Sequence, residues 1–347
     1  MEIEADIKKR YDGFLLDVSF KCDSKRIGIL GASGCGKTQT LKAVAGLVRP
    51  DEGRIVLDGR VLFDKKTKTD TAPGKRGIGY LFQNYALFPN MTVEGNIRAA
   101  LKGAARGSKE YAGNTAERIM EDFDLKDLRS HFPHELSGGQ QQRTALARML
   151  ACDPGLLLLD EPFSAMDTFM REALRLELIR ILDKYDKNFI MVSHDRDEIY
   201  QMCDHLLLME GGRVIARGPV DEIFEHPSTT SAARLTGCKN ISRIERLDDH
   251  RFRAPDWKGI ILTTDRRIGE DIRYAGIRAH DLTAGEGEVN IIPTGHVRIS
   301  ALPFEWYVIT ECGLWWKIPK TLSEYDAHGA VPEHIRIAPE KILLMDR

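Results

Sequence analysis

A glycine-rich octapeptide, Gly31-Ala32-Ser33-Gly34-Cys35-Gly36-Lys37-Thr38, is the strongest chemical signal in the chain. It fits the spacing G-x-x-x-x-G-K-[ST], which cradles phosphate. Glycines let the backbone curl until its N–H groups point at phosphate oxygens, and a helix that starts there adds the positive end of its dipole. Ser33, Gly34, Cys35 and Gly36 are assigned to this cradle. Lys37 supplies a point charge for β- and γ-phosphates, and Thr38 a hydroxyl for Mg²⁺. A second signal is Leu156-Leu157-Leu158-Leu159-Asp160-Glu161-Pro162, an apolar strand ending in adjacent carboxylates. Open α/β sheets bind ligands at the carboxyl ends of their strands. Asp160 is placed to hold Mg²⁺, directly or through water, and Glu161 to orient and deprotonate an attacking water. Together the segments point to binding and hydrolysis of a nucleotide such as ATP.

Such groups need a parallel sheet behind them. Arg26–Leu30 is an apolar run that stops at the glycine loop, and Gln39–Leu47 follows it as a helix. Leu156–Leu159 shows no polar alternation, as a strand covered on both faces does not. Gly77–Phe82, Phe189–Val192 and His205–Met209 read as further strands, and Asp58-Gly59 and Gly211-Gly212 as turns. Thr115–Phe123, Gly138–Ala151 and Thr168–Tyr185 read as helices. The alternation predicts an α/β domain with a largely parallel sheet over residues 1–230, with a helical insertion at about 88–151. His226–Asn240 is polar, with Pro227 and a Ser/Thr cluster, and residues 231–240 are assigned as the linker. From 241 to 347, short β-like runs alternate with Gly, Pro and Asp, which predicts a small all-β, barrel-like domain.

Bulk properties narrow the classes. A chain of 347 residues suggests two domains, and 42% hydrophobic with 29% charged residues is ordinary for a globular protein. The formal net charge of -2, with acids and bases interspersed, argues against nucleic acid as the partner. The six cysteines include no C-x-x-C pair and read as free thiols in a reducing compartment. Met1–Tyr11 is charged and lacks the apolar core of a signal peptide. No run approaches the roughly 20 apolar residues that span a bilayer, so a membrane pore would need another chain.

A third motif, Leu136-Ser137-Gly138-Gly139-Gln140-Gln141-Gln142-Arg143, is a second glycine turn that opens a helix. It is redundant unless it serves a different nucleotide. With it, residues 1–235 resemble the ATP-binding subunits of ABC transporters, whose signature is LSGGQ. The resemblance implies that two copies form a homodimer in which Ser137, Gly138 and Gly139 of one contact the γ-phosphate of ATP held by the other. It implies that Gln83 is the Q-loop glutamine, which serves catalysis by sensing Mg²⁺ and the membrane subunit. Ser164-Ala165-Met166-Asp167 matches the D-loop, with Met where Leu is usual. His194 matches the switch histidine at the γ-phosphate, and Tyr11, with Phe14 as the alternative, the residue stacked on adenine. The catalytic set is then Glu161, His194, Lys37 and Gln83, with Thr38, Gln83 and Asp160 about the metal.

Asn84–Val93 looks like the corresponding run of importers of sugars and oxyanions, although Gly95 stands where Glu is common. Thr236–Asn240 and Gly276–Asp281 resemble segments of molybdate/tungstate importer subunits. That resemblance implies integral membrane permease subunits, a separate extracytoplasmic substrate-binding protein and a place at the cytoplasmic face of the membrane. It also implies a C-terminal domain that binds the oxyanion and inhibits uptake. Such an anion needs hydroxyls and cations, and Ser300, Lys320 and Thr321 are the candidates. The alternatives are an importer for sulfate, iron or sugar with a dimerising C-terminal domain, and a soluble oxyanion sensor.

Overall fold

A computed structural model describes residues 1–103, 109–164, 168–285, 287–320 and 331–347. The chain divides into two compact units, Met1–Val220 and Asp221–Arg347. The first opens with β1 (Glu2–Tyr11), β2 (Phe14–Asp23), β3 (Arg26–Gly31), α1 (Lys37–Ala45), β4 (Glu52–Leu57), β5 (Arg60–Asp64) and β6 (Thr69–Asp70). It continues through β7 (Ile78–Leu81), α2 (Val93–Gly103), α3 (Lys109–Asp122), α4 (Gly138–Ala151), β8 (Leu156–Asp160) and α5 (Thr168–Lys184). It ends with β9 (Asn188–Ser193), α6 (Arg196–Met202), β10 (His205–Glu210) and β11 (Arg213–Pro219).

Two sheets result. One is antiparallel, in the order β2-β1-β4-β5-β6. The other, β11-β10-β3-β9-β8-β7, is parallel except for the edge strand β11. Leu156, Leu157, Leu158 and Leu159 of β8 are fully buried, as the unbroken apolar run requires. α1 packs on strands of both sheets, and one core joins Ile3, Ile7 and Leu16 to Leu41, Leu158 and Val192. The hairpin of β1 and β2 is not among the strands predicted from sequence. Its buried set, Ile3, Ala5 and Ile7 against Leu16, Val18 and Phe20, alternates with charged residues such as Glu4, Asp6 and Lys21, which masks it in a search for apolar runs. Between residues 88 and 151 the described residues form helices and no strand. No helix among the described residues is long and apolar enough to cross a membrane.

The described residues of the second unit form α7 (from Val220 at the boundary to Glu225), α8 (Thr230–Leu235) and twelve short strands. These are β12 (Asn240–Arg243), β13 (Glu245–Arg246), β14 (Arg251–Ala254), β15 (Ile260–Thr263), β16 (Tyr274–Ile277) and β17 (Leu282–Ala284). β18 (Ile291–Pro293), β19 (Arg298–Ala301), β20 (Glu305–Ile309), β21 (Trp315–Pro319), β22 (His334–Ile337) and β23 (Leu343–Met345) complete it. They form four three-stranded sheets around Phe252, Trp257, Ile277, Val308, Trp316 and Ile337. The expected linker 231–240 lies inside this unit. Thr229 caps α8 by accepting from the Ala232 amide (3.1 Å), Thr236 donates to the Ala232 carbonyl (3.0 Å), and Ala232 and Ala233 are fully buried. Thr229 and Thr236 thus serve as helix caps in a segment that a composition-based reading takes for loop.

Candidate nucleotide site

The loop between β3 and α1 ends at Gly36, which precedes the first turn of α1 with φ 102°. A Cβ there would lie 2.6 Å from Leu16 Cδ1 and 3.0 Å from the Phe14 ring, so both backbone angle and space demand glycine. The loop borders a cleft of about 410 Å³ lined by Tyr11, Phe14, Ser33, Gly34, Gly36, Lys37, Thr38, Gln39, Gln83 and Glu161. Lys37 is 5% exposed, and its ammonium donates to the carbonyls of Gly31 (2.8 Å) and Ala32 (3.1 Å). Cys35 is buried and does not line the cleft; its carbonyl accepts from the Gly212 amide (3.2 Å), and burial raises its thiol pKa. Tyr11 and Phe14, at the turn between β1 and β2, both reach the cleft, with ring centroids 6.2 Å apart. Tyr11 also donates from its hydroxyl to Gln39 Oε1 (2.9 Å), and Gln39 is a lining residue not among the sequence candidates.

β8 delivers Asp160 to the same edge. Thr38 Oγ1 donates to Asp160 Oδ1 (2.7 Å), which joins the two motifs first read 122 positions apart. Tyr80 of β7 donates to Asp160 Oδ2 (2.8 Å). Glu161 leaves the strand with φ 47°, its amide donating to the Val192 carbonyl (3.0 Å). Because β8 and β9 are parallel neighbours, His194 after β9 comes beside Glu161, with Nδ1 3.4 Å from Oε2. Ser193 donates to the buried Glu198 carboxylate (2.6 Å) and accepts from the Asp195 amide (2.9 Å), which holds the turn that carries His194. Gln83 is exposed and lines the cleft. Beyond it, Tyr85 and Ala86 have φ 60° and 45°, and Arg148 of α4 donates to both of their carbonyls (3.0 and 2.8 Å).

The signature turn is built differently. Ser137 caps α4: its amide donates to Gln140 Oε1 (2.8 Å) and its hydroxyl accepts from the Gln140 amide (3.4 Å). Gly138 is exposed, with nothing within 4 Å of a Cβ placed on it, and Gly139 is buried. None of Ser137, Gly138 and Gly139 lines the cleft of the same chain. Of the D-loop match, Ser164 donates to the Glu161 carbonyl (3.1 Å), while Ala165, Met166 and Asp167 lie outside the described residues.

Of the oxyanion candidates, Ser300 and Lys320 do not converge. Ser300 of β19 pairs with Tyr307 of β20, whereas the Lys320 ammonium lies 4.4 Å from the ring centroid of Trp306, the preceding residue. Successive residues of a strand point to opposite faces, which puts the two groups on opposite sides of the sheet. Thr321 lies outside the described residues.

Strand, glycine loop and helix here are the P-loop nucleotide-binding fold. Residues 15–164 match the ABC transporter family. The putrescine transport ATP-binding protein of Escherichia coli (strain K12) is 40% identical over 239 residues, covering 68% of this chain and 62% of that protein. The molybdate/tungstate import ATP-binding protein of Thermococcus kodakarensis is 37% identical over 282 residues, covering 81% of this chain and 82% of that protein. A dimeric bacterial ABC transporter cassette of known structure superposes with a TM-score of 0.54 at 27% identity, over 63% of this chain and 98% of that one. This chain belongs to the ABC transporter ATP-binding family. It spans less than two thirds of the Escherichia coli protein's length.

Proposed function

We propose that this chain is the ATP-hydrolysing subunit of an importer and acts as a homodimer on the cytoplasmic face of permease subunits. The observation that carries the reading is the convergence of Lys37, Thr38, Gln83 and Glu161 at one cleft, with Asp160 bonded to Thr38 behind it and His194 against Glu161. The loop amides and Lys37 bind the phosphates, and Lys37 exchanges the Gly31 and Ala32 carbonyls for phosphate oxygens. Tyr11 or Phe14 stacks on adenine. A hydroxyl and a carboxylate 2.7 Å apart are hard oxygen donors of the kind Mg²⁺ takes beside phosphates. Mg²⁺ bound there, with Gln83 nearby, would neutralise charge on the phosphates. Glu161 accepts a proton from the attacking water, and His194, beside the Glu161 carboxylate, contacts the γ-phosphate. Ser137–Gly139 of a second copy closes the site. A groove lined by Tyr80, Phe88, Ala100, Arg148 and Met149 takes a helix of the permease. Replacing Glu161 with Gln is expected to leave ATP binding intact and lower hydrolysis at least about 10²-fold; unchanged hydrolysis would remove Glu161 from that role.

For the cargo we propose molybdate or tungstate, delivered by a separate binding protein and sensed by the second unit. The relative with that printed specificity aligns over 81% of this chain, an extent that reaches past the first unit and that a spermidine/putrescine import relative shares. The putrescine relative favours a polyamine as the second reading. Calorimetric titration of the full chain with molybdate, tungstate, sulfate and phosphate separates them. Selective binding of molybdate or tungstate is expected; heat from none of the anions turns the second unit into a dimerisation module and favours the polyamine reading.

A further inference from the structure

Asp160 is 4% exposed, and each of its carboxylate oxygens has a different owner. Oδ1 faces the nucleotide side and accepts from Thr38; Oδ2 accepts from Tyr80 at 2.8 Å. Tyr80 comes from β7, the strand next to β8, where it pairs with Leu158, and its phenol reaches along the sheet to Asp160. The ring is held by Phe82 (centroids 4.5 Å).

We propose that Tyr80 is a positioning residue for the metal: its hydroxyl pins Oδ2 and keeps Oδ1 aimed at Thr38, where Mg²⁺ would join the phosphates. The inference rests on the nucleotide-hydrolysis reading. Remove the phenol oxygen, and Asp160 keeps one donor and gains freedom to turn about its terminal torsion, which is broad for a carboxylate. Groups that orient a metal ligand from behind typically change metal affinity about 10- to 100-fold. Tyr80 also stands two residues before Phe82 and three before Gln83, so the strand that enters the Q-loop carries the residue that fixes the metal's carboxylate.

The test uses the full chain with a fluorescent, non-hydrolysable ATP analogue titrated with Mg²⁺, comparing the wild type with Tyr80→Phe, which keeps the ring and its contact with Phe82. Metal-free analogue binding should be unchanged, and the Mg²⁺ concentration at half-response should rise about tenfold. Mn²⁺ binding followed by paramagnetic resonance should weaken in parallel. Hydrolysis by Tyr80→Phe should return to within about twofold of wild type at saturating Mg²⁺, a rescue that a misfolded site would not show. The same Mg²⁺ midpoint in both proteins would overturn the proposal while leaving nucleotide binding standing. A wild type that binds no analogue would instead remove the reading beneath it.

Discussion

Gly36 and Tyr80 mark the two extremes of what single residues disclose. Gly36 is legible because its motif fixes both its type and its reason: the loop needs φ 102° where a Cβ would strike Leu16. Gly36→Ala should therefore destabilise the fold by about 1–3 kcal/mol and abolish nucleotide binding. Thermal melting and analogue titration check the two effects, and retention of full affinity would show that the loop tolerates a side chain. Lys37, Thr38, Asp160 and Glu161 were legible for the same reason, since each sits in a local pattern whose chemistry is tied to spacing. Tyr80 was not, because its bond to Asp160 spans 80 positions and arises only when β7 and β8 lie side by side. Its one sequence signal is a tyrosine inside an apolar strand, where a buried hydroxyl needs a partner.

The turn after β9 shows how an element prepares a residue. Glu198 of α6 is 4% exposed, yet it reaches back to Ser193 beside His194. Burial raises its pKa, against the smaller lowering from the Ser193 hydrogen bond; Asp195 adds to the raising, and Arg171 and His194 oppose it. A carboxyl raised in the folded state contributes stability below its unfolded pKa and loses it as pH rises through the folded value. Glu198→Gln keeps the acceptor for Ser193 and removes the charge. Its melting temperature relative to wild type should increase as pH goes from 4 to 8; a difference that stays flat would mean Glu198 is not desolvated. At this scale the sequence disclosed the elements of the parallel sheet, because continuous apolar runs such as Leu156–Leu159 have few alternatives. It concealed β1 and β2, whose exposed faces are charged, and α8, whose caps are composed like a loop.

At the scale of the whole molecule, the signature turn caps α4 yet takes no part in the cleft of its own chain. The phosphate loop, the acidic pair and His194 gather on one edge of one sheet, while Ser137 and Gly138 stand exposed at the start of α4, outside the cleft's lining. Family resemblance made that separation expected, and spacing alone could not, since it says nothing about which copy supplies which group. The β-strands of residues 241–347 were legible from short runs and turn residues. A specific anion pocket among them was not, because strand faces cannot be assigned without the register that separates Ser300 from Lys320. Gly138 separates a second-copy role from a structural one. A Cβ there meets nothing within 4 Å and the position is exposed, so Gly138→Leu should shift stability by no more than about 0.5 kcal/mol. Nucleotide binding by each separate chain should also persist. If a partner's γ-phosphate approaches this glycine, the same change should abolish ATP-dependent dimerisation, read by light scattering in the Glu161→Gln background, and stop hydrolysis in the otherwise native chain. Unaltered dimerisation and hydrolysis would mean the site is complete within one copy, and the two-copy mechanism would fail.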